Sequence, residues 1–231
     1  MTSTPLDLPD RPSLKTLGPG RPKDMKKHAA ILNAAKRLFA QDSFADVSMD
    51  RIAAEAGVSK LTIYSHFGDK ETLFAAAVSA QCQEMLPDNL FHIRQQGTLR
   101  EQLKMIACAF FSMICAEQTV NVHRIMLGHG NIDMTLKHIF WKAGAERTHR
   151  IFTKFLQAWI DTGALDIADV DCASKQFFTL IKGELHMRII CGLCNDPSPE
   201  EVEAHLDAAV DFFLRAYTPR MPAVTAADAP R

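Results

Sequence analysis

The chain has 231 residues, of which 47% are hydrophobic and 23% charged, and its formal net charge is −1. No run of eighteen apolar residues is present, and the Pro-rich N-terminus lacks the apolar segment of a secretory signal. The six cysteines lie within apolar stretches, which argues against a disulfide framework. We therefore expect a cytoplasmic globular protein that does not cross a membrane.

The charges are unevenly distributed along the chain. Residues 1–70 carry eleven Lys or Arg against eight Asp or Glu, whereas residues 71–231 carry fifteen against nineteen. Seven of the basic residues lie between Lys15 and Arg37, where Asp24 is the sole acidic residue. A basic stripe of this kind suits an anionic polymer, although a solvated basic tail would have the same composition.

Apolar residues recur at helical rather than strand spacing throughout the chain, as in Ile31, Ala34 and Leu38. The pattern predicts an all-α fold of about nine helices. The capping-box spacing of Thr98 with Glu101 and of Ser198 with Glu201 marks two of the helix starts. We place the helices near residues 24–41, 48–55, 59–66, 69–85, 98–116, 119–129, 133–163, 169–193 and 198–217, with a possible break in the seventh around Gly144.

The segment 48–67, SMDRIAAEAGVSKLTIYSHF, has the pattern of a helix-turn-helix. Ala53 is small where the two helices must cross closely, and Gly57 suits a turn that requires a positive φ. Ser59 is suited to cap the second helix, whose first turn can then present side chains to base edges in a major groove.

Residues 31–78, ILNAAKRLFAQDSFADVSMDRIAAEAGVSKLTIYSHFGDKETLFAAAV, closely resemble the DNA-binding domain of the TetR family of regulators. The resemblance implies phosphate contacts by the residues that match the family's IYSHF-type ending and the Lys-bearing helix that follows it. The phosphate-contacting candidates are Tyr64, His66, Lys70, Ser48 and Arg51, and the base-reading candidates are Lys60, Leu61, Thr62 and Ser65. Leu61 departs from the small residue usual in the family. The arm that contains Arg21 and Lys23 resembles the basic extension that some relatives lay in the minor groove, although a disordered tail is an equal alternative.

The part of the chain after residue 86 contains no recognisable catalytic constellation or phosphate-binding loop, so we expect neither an enzyme nor a bound cofactor. This part resembles, less specifically, the ligand-binding and dimerisation half of one TetR subgroup. We therefore expect four segments: a flexible basic arm at 1–22, a DNA-binding domain at 23–78, a ligand-binding and dimerisation domain at 79–217, and a disordered tail at 218–231.

Soft and aromatic side chains are frequent in the predicted central helices and could line a pocket for a small apolar or amphipathic ligand, although such stripes are more often plain core. The candidates are Met105, Met113, Met126, Trp141, Phe155, Trp159, Phe177 and Phe178. In the family, the last two helices form a four-helix bundle with their mates. The resemblance therefore assigns Leu180, Gly183, Leu206, Val210, Phe213 and Leu214 to a homodimer interface, although these rows could equally face their own domain.

The function implied is that of a ligand-released repressor that binds an inverted-repeat operator as a dimer. One alternative is a redox- or metal-responsive regulator of the same fold that uses Cys191 and Cys194. A second alternative, from another class, is a helical enzyme or carrier with a vestigial DNA-binding module.

Overall fold

The computed structural model describes residues 24–93, 97–128 and 134–219, and within these ranges it contains helices and no strand. The all-α prediction is therefore confirmed. The ten α-helices are α1 Met25–Gln41, α2 Met49–Ala56, α3 Lys60–Phe67, α4 Lys70–Met85, α5 Leu99–Cys115, α6 Glu117–Gly128, α7 Met134–Trp141, α8 Arg147–Asp161, α9 Val170–Ile190 and α10 Pro199–Tyr217. A short 3₁₀ helix, Asp88–Phe91, follows α4.

The seventh predicted helix is divided near the glycine at which a break was anticipated. A π-helical turn, Lys142–Glu146, separates α7 from α8, and the backbone remains helical on both sides of it. Gly144 is buried in this turn, where an added Cβ would lie 3.6 Å from Val78 Cγ1 of α4. π turns are frequent at functional sites because they displace side chains from the regular helical positions.

The first helices share one hydrophobic core. The buried faces of α1, α2 and α3 meet there with Leu73, Phe74 and Ala77 of α4. Leu136 of α7 also belongs to this core, and Phe140 packs against it. The predicted DNA-binding helices therefore pack directly against a helix of the larger predicted domain.

A second, larger core lies between α5, α8, α9 and α10. Its centre is aromatic: Phe152 and Phe177 stack with ring centroids 4.6 Å apart, and Phe177 meets Phe213 edge to face at 5.1 Å. Leu86, which follows α4, is fully buried in this core, and Met85 and Cys82 pack against it. The one helix α4 thus contributes to both cores.

Helix α9 is kinked at Gly183, whose backbone has φ 49° and ψ −159°. The ring of His205 on α10 fills the space beside this glycine, and His205 Nε2 lies 2.8 Å from the Ile181 carbonyl oxygen. A Cβ at position 183 would lie 2.5 Å from His205 Cε1. Gly183 therefore allows a close approach within its own protomer.

No single helix in the described ranges is long and apolar enough to cross a membrane. The helices Leu99–Cys115 and Glu117–Leu127 reach the necessary length and hydropathy only when they are taken together, with a bend of 63° between them. Most of the apolar surface of the first helix is buried in the larger core.

Two glycine variants should separate backbone strain from steric clash. Gly57 has φ 65° with nothing within 4 Å of an added Cβ, so Gly57→Ala should lower the free energy of unfolding by about 1 kcal/mol. Gly183→Ala combines a glycine-only backbone region with the His205 clash and should cost at least about 2 kcal/mol. Urea denaturation of both variants measures the difference. Equal losses would contradict the proposed tight contact with His205.

Candidate DNA interface and ligand cavity

The segment 48–67 forms two short helices joined by a tight turn. Ser48 caps α2 by accepting a hydrogen bond from the Arg51 N–H at 3.1 Å. Gly57 then adopts the left-handed conformation, and the Val58 N–H donates to the Ala53 carbonyl at 3.0 Å, which satisfies a carbonyl at the end of α2. Ser59 caps α3 by accepting from the Thr62 N–H at 3.2 Å. Each of these boundaries therefore has a local hydrogen bond, and the sequence pattern anticipated the Ser59 cap and the Gly57 turn.

Helix α3 has one face in the core and one face outside. Ile63 is fully buried and Phe67 nearly so, whereas Leu61 is 78% exposed. Lys60, Tyr64 and Ser65 are also exposed, and Thr62 and His66 are half-buried. Four of the predicted DNA-contacting side chains thus reach outward from a helix whose other side is fixed by packing.

Two of the candidate cations are already paired with carboxylates. Lys60 Nζ lies 2.8 Å from Asp50 Oδ2, and the hydrogen bond with Asp50 raises the pKa of Lys60. Arg51 Nη1 lies 2.7 Å from Asp42 Oδ2. These pairs are partly exposed, so water and salt weaken them, and a phosphate can compete for both cations.

Lys70 occupies the first position of α4, and its ammonium lies 4.3 Å from the centroid of the Phe44 ring. Partial burial lowers the pKa of Lys70. His66 packs at the end of α3 beside His28, with ring centroids 5.8 Å apart. Arg21 and Lys23, the candidates for the minor groove, lie outside the described residues.

A cavity of about 500 Å³ lies where the two cores meet. Its wall includes Lys36, Phe39 and Ala40 of α1 and Phe74, Ala77, Val78, Gln81 and Cys82 of α4. The opposite wall comes from α5, α6, α7, the π turn, α8 and α9. A volume of this size falls in the range of about 300–1,000 Å³ that binds drug-sized molecules. A ligand there would touch helices of both predicted domains at once.

The predicted pocket residues divide into two groups. Met113, Met126, Trp141 and Phe178 border the cavity. Met105, Phe155, Trp159 and Phe177 are not part of its lining; Phe155 and Phe177 are buried in the larger core, against which Trp159 packs. Helical periodicity marked these side chains as inward-facing without indicating which of them border unfilled space.

The polar residues of the cavity were missing from the sequence-based pocket. Lys182 follows Phe178 by four residues along α9, and His186 lies four residues further on, beyond the kink at Gly183; all three border the cavity. His149 and His123 reach it from α8 and α6. The i, i+4 spacing of Lys182 and His186 after Phe178 was the signal that could have found them.

These ionisable groups are shifted by their surroundings. Burial lowers the pKa of Lys182. Burial and, secondarily, the positive charges of His186 and Lys182 lower the pKa of His123 from 6.5 to about 4. The pKa values of His149 and His186 are lowered for the same two kinds of reason, burial first and Lys182 second. Near neutral pH, His123 is therefore uncharged.

The residues predicted for the dimer interface are largely internal to the protomer. Leu206, Val210 and Phe213 are at most 1% exposed and pack in their own core, so they have no surface left for a second copy. Leu180 and Leu214 are half-buried, and Gly183 is exposed beside His205. The alternative reading, that these rows face their own domain, holds for the three buried residues. The larger exposed apolar side chains on these two helices are Met187 and Phe212, each 59% exposed.

Comparison with known proteins agrees with this architecture. Residues 31–77 match the model of bacterial regulatory proteins of the tetR family, and residues 101–219 match that of the AefR-like transcriptional repressor C-terminal domain. The chain is 32% identical to the Flavonoid-responsive Regulator FrrA, with a TM-score of 0.68, over 86% of this chain and 100% of that one. The chain belongs to the TetR family of bacterial transcriptional regulators.

Two further relatives illustrate the range of the resemblance. A TetR-family regulator from Mesorhizobium loti MAFF303099 shares the fold, with a TM-score of 0.72 and 24% identity over 84% of this chain and 98% of that one. The Fatty acid metabolism regulator protein of Bacillus subtilis (strain 168) is 25% identical over 112 residues, which are 48% of this chain. That match spans 58% of the length of the curated relative.

The low pKa of His123 leads to a prediction about stability and pH. Between pH 6.5 and about pH 4 the unfolded chain binds a proton at this site that the folded chain does not, so the free energy of unfolding falls as the pH falls. His123→Gln should remove up to about 3 kcal/mol of this fall. Urea denaturation of both proteins at several pH values tests this difference. Parallel pH dependences in the two proteins would contradict it.

Proposed function

We propose that this chain is a ligand-released repressor that binds an inverted-repeat operator as a homodimer. The observation that carries the proposal is the position of the cavity, whose wall combines α1 and α4 with α5–α9. A molecule that occupies the cavity contacts helices that hold the recognition helix and helices of the larger core. Occupancy and the orientation of the DNA-binding helices can therefore be coupled by direct contact.

The proposed DNA contacts follow from the outer face of α3. Lys60, Leu61, Thr62 and Ser65 are the candidates for base edges in the major groove, since they lie on or beside the face that is opposite Ile63 and Phe67. The exposed Leu61 offers an aliphatic surface that suits the methyl group of thymine.

The phosphate contacts that we propose surround this helix. Ser48 and Arg51 lie at the start of α2, Tyr64 and His66 in the last turn of α3, and Lys70 at the start of α4. On binding, a phosphate would replace Asp42 as the partner of Arg51 or share Arg51 with it. A phosphate would do the same to the pair of Lys60 and Asp50 if Lys60 turned toward the DNA backbone. For Arg21 and Lys23 we keep the proposal of minor-groove contacts.

The proposed dimer brings two copies of α3 into successive major grooves, about 34–36 Å apart. The exposed Phe212 and Met187 on α10 and α9 support an interface on these helices, with the half-buried Leu180 and Leu214 beside them. Ligand binding need only favour a dimer in which the two copies of α3 are wrongly spaced. A coupling of about 1–3 kcal/mol would weaken operator binding about 5–150-fold.

Helix α4 is the proposed lever. It begins at Lys70, beside the DNA-binding face, and its Phe74, Val78 and Cys82 border the cavity one turn apart. The π turn packs against this stretch, and Ser79 Oγ donates to the Ala143 carbonyl at 3.3 Å. A ligand that displaces the π turn would therefore push on α4.

The names of two relatives support a small organic molecule as the ligand of the cavity. FrrA is described as responsive to flavonoids, and the Bacillus subtilis protein as a regulator of fatty acid metabolism. We propose that the present chain likewise binds a small amphipathic molecule, and that it acts in the cytoplasm, where operator DNA is found. We propose no enzymatic activity for it.

The alternative that used Cys191 and Cys194 has no further observation in its favour. Cys191 is exposed in the turn after α9, and Cys194 is half-buried close by. Within the described ranges, no three His, Cys, Asp or Glu side chains are arranged to hold a metal ion.

Selection of random duplex DNA by the purified full-length protein, at near-physiological salt, tests the proposal. An enriched inverted repeat is the expected result, because a twofold dimer reads two equivalent half-sites. Weak binding that ignores sequence and is lost on adding salt would overturn it, since charge alone produces that behaviour. The alternative of an enzyme with a vestigial DNA module predicts this second outcome.

Two variants should then separate affinity from specificity. Lys70→Gln should weaken binding to all sequences and reduce the salt slope of log K by about 1, because it removes one phosphate contact. Leu61→Ala should instead relax the preference at one base pair of each half-site. Lys154→Gln, which removes an exposed lysine from α8, is the matched control and should change neither quantity. Fluorescence anisotropy at several salt concentrations provides the measurement, and an unchanged slope for Lys70→Gln would contradict the assigned role.

A further inference from the structure

Apart from the Cys82 thiol, whose pKa is raised by burial, the ionisable residues of the cavity wall are all basic. Three lysines and three histidines border the cavity, and no Asp or Glu is found among the described residues of its lining. One of the lysines, Lys36, is neutralised by Glu84, with Nζ and Oε2 2.6 Å apart. The remaining basic side chains are Lys137, Lys182, His123, His149 and His186. An otherwise apolar cavity thus carries an uncompensated positive character.

Lys182 is the main source of this positive charge. It lies on α9 between Phe178 and His186, and its pKa is lowered by burial alone. Within the described ranges no carboxylate lies within ion-pair distance of its ammonium and no hydrogen bond to it is found. Lys182 as a whole remains exposed, so an anion can reach its ammonium. A partly desolvated ammonium without a counter-charge is unfavourable, and an anion of the right size would offset this cost.

Three histidines share the cavity wall with Lys182, and its positive charge contributes, after burial, to the lowered pKa of each. The rings of His123 and His186 meet edge to face with centroids 5.9 Å apart. His123 Nδ1 and His186 Nε2 are buried without a hydrogen-bond partner, whereas His149 Nδ1 lies 2.9 Å from Ser174 Oγ. Two ring nitrogens are therefore available beside Lys182, and buried polar atoms of this kind normally have partners.

Apart from the uncharged polar side chains of Gln81, Gln118, Thr119 and Thr148, the rest of the lining is apolar and rich in aromatic rings. Phe74, Phe110, Phe140, Phe178 and Trp141 contribute rings from α4, α5, α7 and α9. Such walls suit a flat or flexible apolar body, and the volume of about 500 Å³ accommodates a molecule of drug size. The cavity therefore combines basic side chains that favour negative charge with apolar walls that favour hydrocarbon.

We infer that the effector of this protein is a singly charged amphipathic organic acid, whose anionic oxygen pairs with the Lys182 ammonium while His123 and His186 hydrogen-bond to the acid group. The apolar body of the acid lies between the aromatic side chains. This inference rests on the proposed function, in which the cavity is the effector site. A cation would meet five positive or polar basic groups, and a neutral molecule would leave the Lys182 charge unpaired.

Calorimetric titration of the full-length protein with matched acids and esters tests the inference. The probes are 2-naphthoate and decanoate, each compared with its methyl ester, which has a similar apolar body and no charge. At neutral pH at least one acid should bind about tenfold or more tightly than its ester, the ratio expected for one charge-assisted contact. Equal affinity for acid and ester, or no binding of either acid, would overturn the inference.

Substitution of the lysine assigns the preference to its site. Lys182→Met should reduce the acid-to-ester ratio to about one while ester binding persists, and Lys182→Arg should retain the preference. Lys154→Met removes a lysine outside the cavity lining and should leave the ratio unchanged. A preference that survives in Lys182→Met would overturn the assignment. If 2-naphthyl phosphate bound more tightly than 2-naphthoate, the inference of a singly charged effector would be overturned in favour of one with a phosphate headgroup.

The outcome is distinguishable from failure of the proposed function. Enrichment of an inverted repeat without any preference for acids would overturn this inference and leave the repressor function standing. If the protein bound an acid through Lys182 but selected no DNA sequence, the repressor function would be overturned and the assignment of the acid site would stand. Release of the selected operator by the preferred acid, in wild type and not in Lys182→Met, would support both.

Discussion

The structure depends on the sharing of one helix between two hydrophobic cores. Leu73, Phe74 and Ala77 of α4 lie in the core of the DNA-binding helices, and Leu86 at its end lies in the larger core, with Cys82 and Met85 packed against it. Because protein interiors are close-packed, α4 cannot shift along its axis without disturbing both cores. Any change in the larger core that moves α4 is therefore transmitted to the helices that hold α3.

The cavity lies at the position where this constraint is weakest. Packing between the two cores is incomplete there, and the π turn places Gly144 and Ala143 against the middle of α4. An incompletely filled space between two rigid bodies can be completed by a ligand, and the free energy of filling it is available to favour one arrangement of the bodies over another. The aromatic lining and the ammonium of Lys182 would hold the organic acid that we propose as this ligand.

On the outer surface of the DNA-binding helices, two basic side chains are already paired with carboxylates. Asp50 and Asp42 hold the side chains of Lys60 and Arg51 near the protein surface. These pairs lower the net positive field of the surface, which restrains binding to arbitrary DNA. In the proposed function, the discrimination between operator and other DNA depends on contacts that only the correct sequence offers to the exposed face of α3.

Local sequence pattern was enough to predict the helix-turn-helix, its Ser59 cap and the outward-facing side chains of α3, because each depends on residues within about four positions of one another. It also determined the all-α class through the period of its apolar residues. Only the tertiary structure decided which inward-facing residues border the cavity. Met113 and Phe178 do and Phe155 and Phe177 do not, since an unfilled volume results from the packing of several helices whose mutual positions no local pattern contains. For the same reason three of the six predicted dimer residues were misplaced. Leu206, Val210 and Phe213 have the periodicity of an interface, and it is the approach of α5, α8 and α9 within the protomer that covers them.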